Sequence, residues 1–211
     1  LSNVTNMSAM FYICEKFDQD ISNWNLSSCT DMRWMFFGCK VFDKPLSNWE
    51  RVNGVNGATS TSTLSNVTTM RFMFNDCEKF NQDISNWNLS NVTNMYSMFN
   101  GCKVFDSPLS NWNVSNVTTM ERMFYYCKKF DQPLSNWNLS SCTNISWMFA
   151  FCQVFNNPLS NWERVNGVNG ATSTSTLSNV TNLSYMFYTC EKFNQDISNW
   201  NVSSVNEMKH M

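Results

Sequence analysis

A 25-residue motif, written seven times in full and an eighth time in part, constrains this chain more than any other feature. Leu1 to Asn25 reads LSNVTNMSAMFYICEKFDQDISNWN. The pattern restarts at Leu26, Leu64, Leu89, Val114, Leu139, Leu177 and Val202, the last copy reaching Met211. A unit this short cannot bury its own apolar residues, so tandem copies must stack on one another to make a core. We number the positions of each unit as places 1 to 25. The repeat accounts for an otherwise odd composition of 14 Met, 17 Phe, 9 Trp and 9 Cys. Met occupies places 7 and 10, Phe mostly places 11 and 17, Trp mostly place 24 and Cys mostly place 14.

A longer period lies over the short one. The insertion ERVNGVNGATSTST follows Trp49 and again Trp162, filling 50–63 and 163–176, and Pro45–Thr68 is identical to Pro158–Thr181. Duplication of a four-unit cassette is the simplest origin. The two Asn-Gly pairs and the Thr/Ser tail predict a protruding hairpin or loop. The chain starts on a unit boundary without Met and stops inside a unit, which reads as a stretch of a longer array. We expect residues 1–211 to form one continuous segment.

Apolar residues fall at places 1, 4, 7, 10, 11, 14, 17, 21 and 24. The 3–4 spacing from Val4 to Phe17 predicts an α or 3₁₀ turn with one buried face. Alternation around Trp24 predicts a short strand over places 20–26. Pro at place 20 (Pro45, Pro108, Pro133, Pro158) separates the two halves. The expected fold is a repeat solenoid with one short parallel β-strand and one helical or 3₁₀ turn per unit. A parallel β-helix, with the Met-Phe-x-x-Cys segment also extended, is the alternative.

Ile21-Ser-Asn-Trp24-Asn-Leu26-Ser-Ser-Cys29 matches the leucine-rich-repeat frame L-x-x-L-x-L-x-x-N/C. Met-Phe-x-x-Cys-x-x-Phe resembles the signature of BspA-type leucine-rich repeats, and the whole unit is similar to the surface-protein repeat of mycoplasma lipoproteins and of other Firmicutes, protists and their giant viruses. The resemblance implies a right-handed, leucine-rich-repeat-like solenoid at a cell or virion surface. Val usually replaces the frame's N/C residue, and the next apolar residue comes one place late at Met32, so the turn after the strand should differ.

Charge and chemistry exclude several functions. Charged residues are 14% and the formal net charge is −2, leaving no basic patch for nucleic acid. There is no run of about 18 apolar residues to span a membrane. The one histidine is His210. No nucleophile motif, phosphate-binding glycine loop or Cys-x-x-Cys pair occurs, so neither an enzyme, a cofactor nor a zinc site is expected. The Asp18-x-Asp20 pattern offers too few ligands for calcium and reads as a capped corner.

Cys14, Cys39, Cys77, Cys102, Cys127, Cys152 and Cys190 should stack as a column of buried thiols, with disulfides between successive units a lesser alternative. Trp24, Trp87, Trp112, Trp137 and Trp200 should form a second core column. Ser-Asn at places 22–23 suggests stacked amides. The Asn-Val-Thr sequons at Asn3, Asn66, Asn91, Asn116 and Asn179 are candidate glycosylation acceptors in a secreted eukaryotic chain, although the repeat itself explains their number.

The variable places 8, 9, 12 and 13 hold Trp34, Phe72, Tyr96, Tyr125, Tyr126, Trp147, Tyr185 and Tyr188, with Tyr12, Phe37 and Phe151. Arg33, Arg71, Arg122 and Glu121 share them. Aromatics mixed with arginine along one flank have the makeup of a contact surface, while packing between neighbouring units is the plain alternative. The expected function is a non-catalytic, extracellular structural rod or fibre that self-associates end to end or laterally. The alternative is an adhesin-like module holding a host protein or glycan through this flank.

Overall fold

The computed structural model describes residues 1–46, 49, 64–159, 162 and 177–211. The loops expected over 50–63 and 163–176 lie outside them. Eight units stack in parallel register. Single parallel bridges join place 6 of each unit to the next, in the order Asn6, Asp31, Thr69, Asn94, Thr119, Asn144, Asn182, Glu207. The bridges Asp31–Thr69 and Asn144–Asn182 cross the insertions without a change of register.

The backbone between places 5 and 14 alternates its hydrogen bonds. Amides at places 7, 9, 11 and 13 donate to the following unit, as Met70 to Asn94, Phe72 to Tyr96, Phe74 to Met98 and Asp76 to Asn100. Amides at places 10, 12 and 14 instead close local turns, as Met73 to Met70, Asn75 to Phe72 and Cys77 to Phe74. Places 9 and 13 are the third residues of the turns 7–10 and 11–14, where a type II turn needs φ > 0 and usually takes glycine. Here φ is positive whatever the residue: +55° at Trp34, +58° at Phe72, +62° at Tyr126 and +58° at Thr189. Each such non-glycine residue costs on the order of 1 kcal/mol, offset in the inner units by its amide bond to the next unit, as Phe72 N to Tyr96 O.

Two sequence expectations about local structure are corrected by this pattern. The segment from Val4 to Phe17 is a chain of overlapping turns rather than a helical turn, because an i to i+3 turn imposes the same apolar spacing. It is not extended either, since places 9 and 13 are left-handed. The strand expected around Trp24 is absent among the described residues. Pairing falls at place 6, and Ile21–Trp24 closes a turn through Trp24 N to Ile21 O.

The core is the set of apolar places. In the second unit Leu26, Cys29, Met32, Met35, Phe36, Cys39, Phe42, Leu46 and Trp49 are all fully buried. Phe rings at places 11 and 17 stack within a unit, 4.2 Å apart between Phe74 and Phe80. They stack again between units, 5.6 Å from Phe74 to Phe99. Trp rings stack in the same way, 6.4 Å between Trp112 and Trp137.

Side-chain donors tie the columns together. Each place-24 indole N–H from Trp49 onward donates to the place-21 carbonyl of the preceding unit, as Trp137 Nε1 to Leu109 O at 3.0 Å. Each place-14 thiol from Cys39 onward donates to the place-11 carbonyl of the preceding unit, as Cys102 Sγ to Phe74 O at 3.0 Å. All nine cysteines are free thiols. Burial pushes the Cys39 and Cys190 thiols up to about 12 and holds those of Cys77, Cys102, Cys127 and Cys152 well above the usual thiol value. Cys14 is exposed and Trp24 half-buried in the first unit. Asp or Asn at place 18 takes the place-18 amide of the next unit, as Asp43 N to Asp18 Oδ1 at 3.1 Å.

Candidate functional site

Left-handed backbone at places 9 and 13 turns the variable side chains away from the columns into one ridge along the stack. The rings there are half-buried, with Tyr12, Tyr126 and Tyr188 exposed. Two clusters make up the ridge. In the first, Tyr12 stacks on Phe37 at 5.0 Å, Trp34 on Phe72 at 6.0 Å, and Phe72 meets Tyr96 edge-on at 4.8 Å. In the second, Trp147 stacks on Tyr185 at 3.9 Å, Tyr125 meets Trp147 and Phe151 edge-on, and Tyr126 lies 4.7 Å from Phe151. Tyr188 meets Trp147, Phe151 and Tyr185 edge-on.

Arg122 joins the clusters. Its Nη1 donates to the Tyr96 hydroxyl at 3.2 Å, while its guanidinium lies 5.5 Å from the Trp147 ring. The eight aromatic residues singled out in the sequence therefore come together, as braces between units and as a half-open surface. Exposed ring edges carry partial positive charge, and the cations add to it. Lys128 sits 5.3 Å over Tyr126, and Arg71 lies 5.4 Å from Trp34, 5.3 Å from Phe72 and 5.8 Å from Tyr96.

The remaining sequence candidates serve the stack. Asn66, Asn91, Asn116 and Asn179 donate through Nδ2, at 2.6 Å, to the place-2 carbonyl of the preceding unit. The nitrogen that a glycan would occupy is thus a structural donor at these sequons; Asn3 is exposed. Side-chain amide bonds along the stack run at place 3, and of the Asn residues at place 23 Asn23, Asn111, Asn136 and Asn199 are exposed. Asp20, Asp83 and Asp196 accept the Ser amides two residues on, which holds their carboxyls below the usual range. Among the described residues no group of three His, Cys, Asp or Glu is placed to hold a metal ion. No helix among them is long and apolar enough to cross a membrane.

A family model described as "Mycoplasma protein of unknown function, DUF285" matches residues 1–58, 52–162 and 163–211. The chain belongs to that family. The middle match spans the first insertion and four units, the same cassette that the internal duplication marks out. A search of the curated proteins gave no match. A mycoplasma-type tandem-repeat protein is therefore what the ridge decorates.

Proposed function

We propose that this DUF285 chain is a non-catalytic, surface-displayed module. Its units form a leucine-rich-repeat-like solenoid with an unusual turn-rich backbone, and its aromatic–cationic ridge is the face that touches another macromolecule. The ridge itself carries this reading. Rings and cations run along successive units at the places where the repeat varies, while the columns behind them stay nearly constant. Contact surfaces are enriched in Tyr, Trp and Arg. Lateral association with further copies is the second reading, supported by the ridge's spacing, which a second copy would match.

The test compares wild type with the double variant Tyr125→Ser/Tyr126→Ser, following host-cell attachment of labelled chain and self-association by sedimentation. We expect the variant to stay folded, with a modest fall in unfolding midpoint from the lost ring contacts, and to lose attachment, self-association or both. A variant that retains both, or that no longer folds, removes the ridge from the proposal.

A further inference from the structure

The charge of the ridge reverses sign about its fourth unit. In unit 3, Arg71 stands at place 8 and Asp76 at place 13. In unit 5 the signs are exchanged. Glu121 stands at place 8, and the Tyr126 ring at place 13 carries the Lys128 ammonium 5.3 Å from its centre. Unit 4 between them has no charged residue from Tyr96 to Gly101. Asp76 and Tyr126 are exposed, and Arg71, Glu121 and Lys128 are half-buried.

The fold leaves these surface charges open. Among the described residues no ion pair holds Arg71, Asp76 or Lys128. The lysines nearest Asp76 are engaged elsewhere, Lys103 with Glu78 at 2.8 Å and Lys40 with Glu15 at 2.7 Å. Glu121 accepts from Asn144 through Oε2 at 2.9 Å, while its Oε1 lies 3.9 Å from Arg122 Nε. The most exposed rings of the ridge follow the same symmetry. Tyr12 is 48% exposed and Tyr188 41%, both at place 12 and each three units from unit 4.

We propose that the partner of the ridge is a second copy of this chain, packed antiparallel about a two-fold axis that crosses unit 4. This rests on the ridge being a contact face and gives its lateral association a register. In such an isologous contact, residue i meets j and j meets i. An axis lying across the stack keeps each place opposite the same place and sets unit 3 against unit 5. Arg71 then faces Glu121, and Asp76 faces Tyr126 with its Lys128, each twice per dimer. Tyr12 and Tyr188 cover one another in the same register. These two tyrosines decide the direction of the axis. A two-fold running along the stack would also oppose unlike charges, Arg71 to Asp76 and Glu121 to Lys128, but it sets Tyr12 against Ala9 and leaves it no ring. Charge complementarity of this kind fixes partner and register, while the rings supply contact area.

Sedimentation equilibrium of the whole chain tests the register. Wild type should dimerise reversibly at low salt and dissociate as salt screens the pairs. Asp76→Lys and Lys128→Glu should each stay folded by circular dichroism and each weaken the dimer about tenfold. Mixing the two variants should restore wild-type affinity, because the heterodimer joins reversed charge to reversed charge and leaves the other pair native. With a two-fold along the stack, mixing restores nothing. If a reversal unfolds the chain, Asp76→Asn and Lys128→Gln take its place, each expected to weaken the dimer severalfold. A wild-type chain that stays monomeric, variants that dimerise as tightly as wild type, or a mixture no tighter than its components each overturns the antiparallel pairing. Self-association that is lost in Tyr125→Ser/Tyr126→Ser but indifferent to positions 76 and 128 overturns the register and spares the ridge. Host attachment by a strictly monomeric chain does the same.

Discussion

The buried columns and the ridge are built from the same 25 residues, yet one tolerates almost no change and the other varies freely. The Phe pair fills volume, while Trp and Cys do two things at once: they fill volume, and their indole and thiol also bond a carbonyl of the preceding unit. A ridge residue contributes a backbone amide that any side chain provides, plus a half-buried ring. Variation is therefore permitted where the side chain lies on the half-buried flank and refused where it fills a buried column.

The largest expected effect tests the columns. Trp137→Ala removes a ring stacked on Trp112 and the bond to Leu109. It should cost roughly 3–5 kcal/mol, read as a fall in denaturant midpoint. An unchanged midpoint would erase the distinction between column and ridge.

A second, smaller effect separates the thiols by environment. Iodoacetamide at pH 8 should alkylate exposed Cys14 and spare Cys39, whose thiolate fraction is about a thousandfold below that of an ordinary thiol. The sign for stability follows. The Cys39 and Cys190 thiols ionise near 9.0 unfolded and near about 12 folded, so their burial contribution is complete below pH 9. Between pH 9 and 12 the unfolded chain alone releases the proton, and stability falls. Wild type should lose denaturant resistance across that window faster than a Cys39→Ala/Cys190→Ala variant, and parallel curves would refute the assignment.

The smallest effects probe the ridge backbone. Thr189 holds φ +58° at place 13 with a β-branched side chain, so Thr189→Asn should gain a few tenths of a kcal/mol. Gly101, at φ +75° in the same place, should lose about 1 kcal/mol as Gly101→Ala, since a Cβ there meets the Asp76 carboxylate. Opposite signs at one place are the expectation, measured by calorimetry; equal signs would mean the left-handed turn is not what place 13 selects.

The period, the stacking and the nine buried places were readable because identical residues recur at fixed intervals. The backbone type was not. Turns closed by place-10, place-12 and place-14 amides repeat apolar residues at the same spacing as a helix. The usual glycine signal is present only at Gly38 and Gly101. Bonds to the next unit hold Trp34 or Phe72 left-handed without glycine, and no local propensity reports a bond made 24 or more residues away. The alternation around Trp24 suggested a strand, yet its cause is the indole reaching back to place 21. The aromatic ridge was legible from variability.

The place-7, 9, 11 and 13 bonds join main chain to main chain, so every junction offers its neighbour the same socket regardless of what decorates it. A unit can be deleted, duplicated or shuffled as a whole, and the flanking pieces still meet on matching terms. Recombination between near-identical coding segments would then yield folded descendants rather than broken ones, each showing its surroundings a different order of rings and charges.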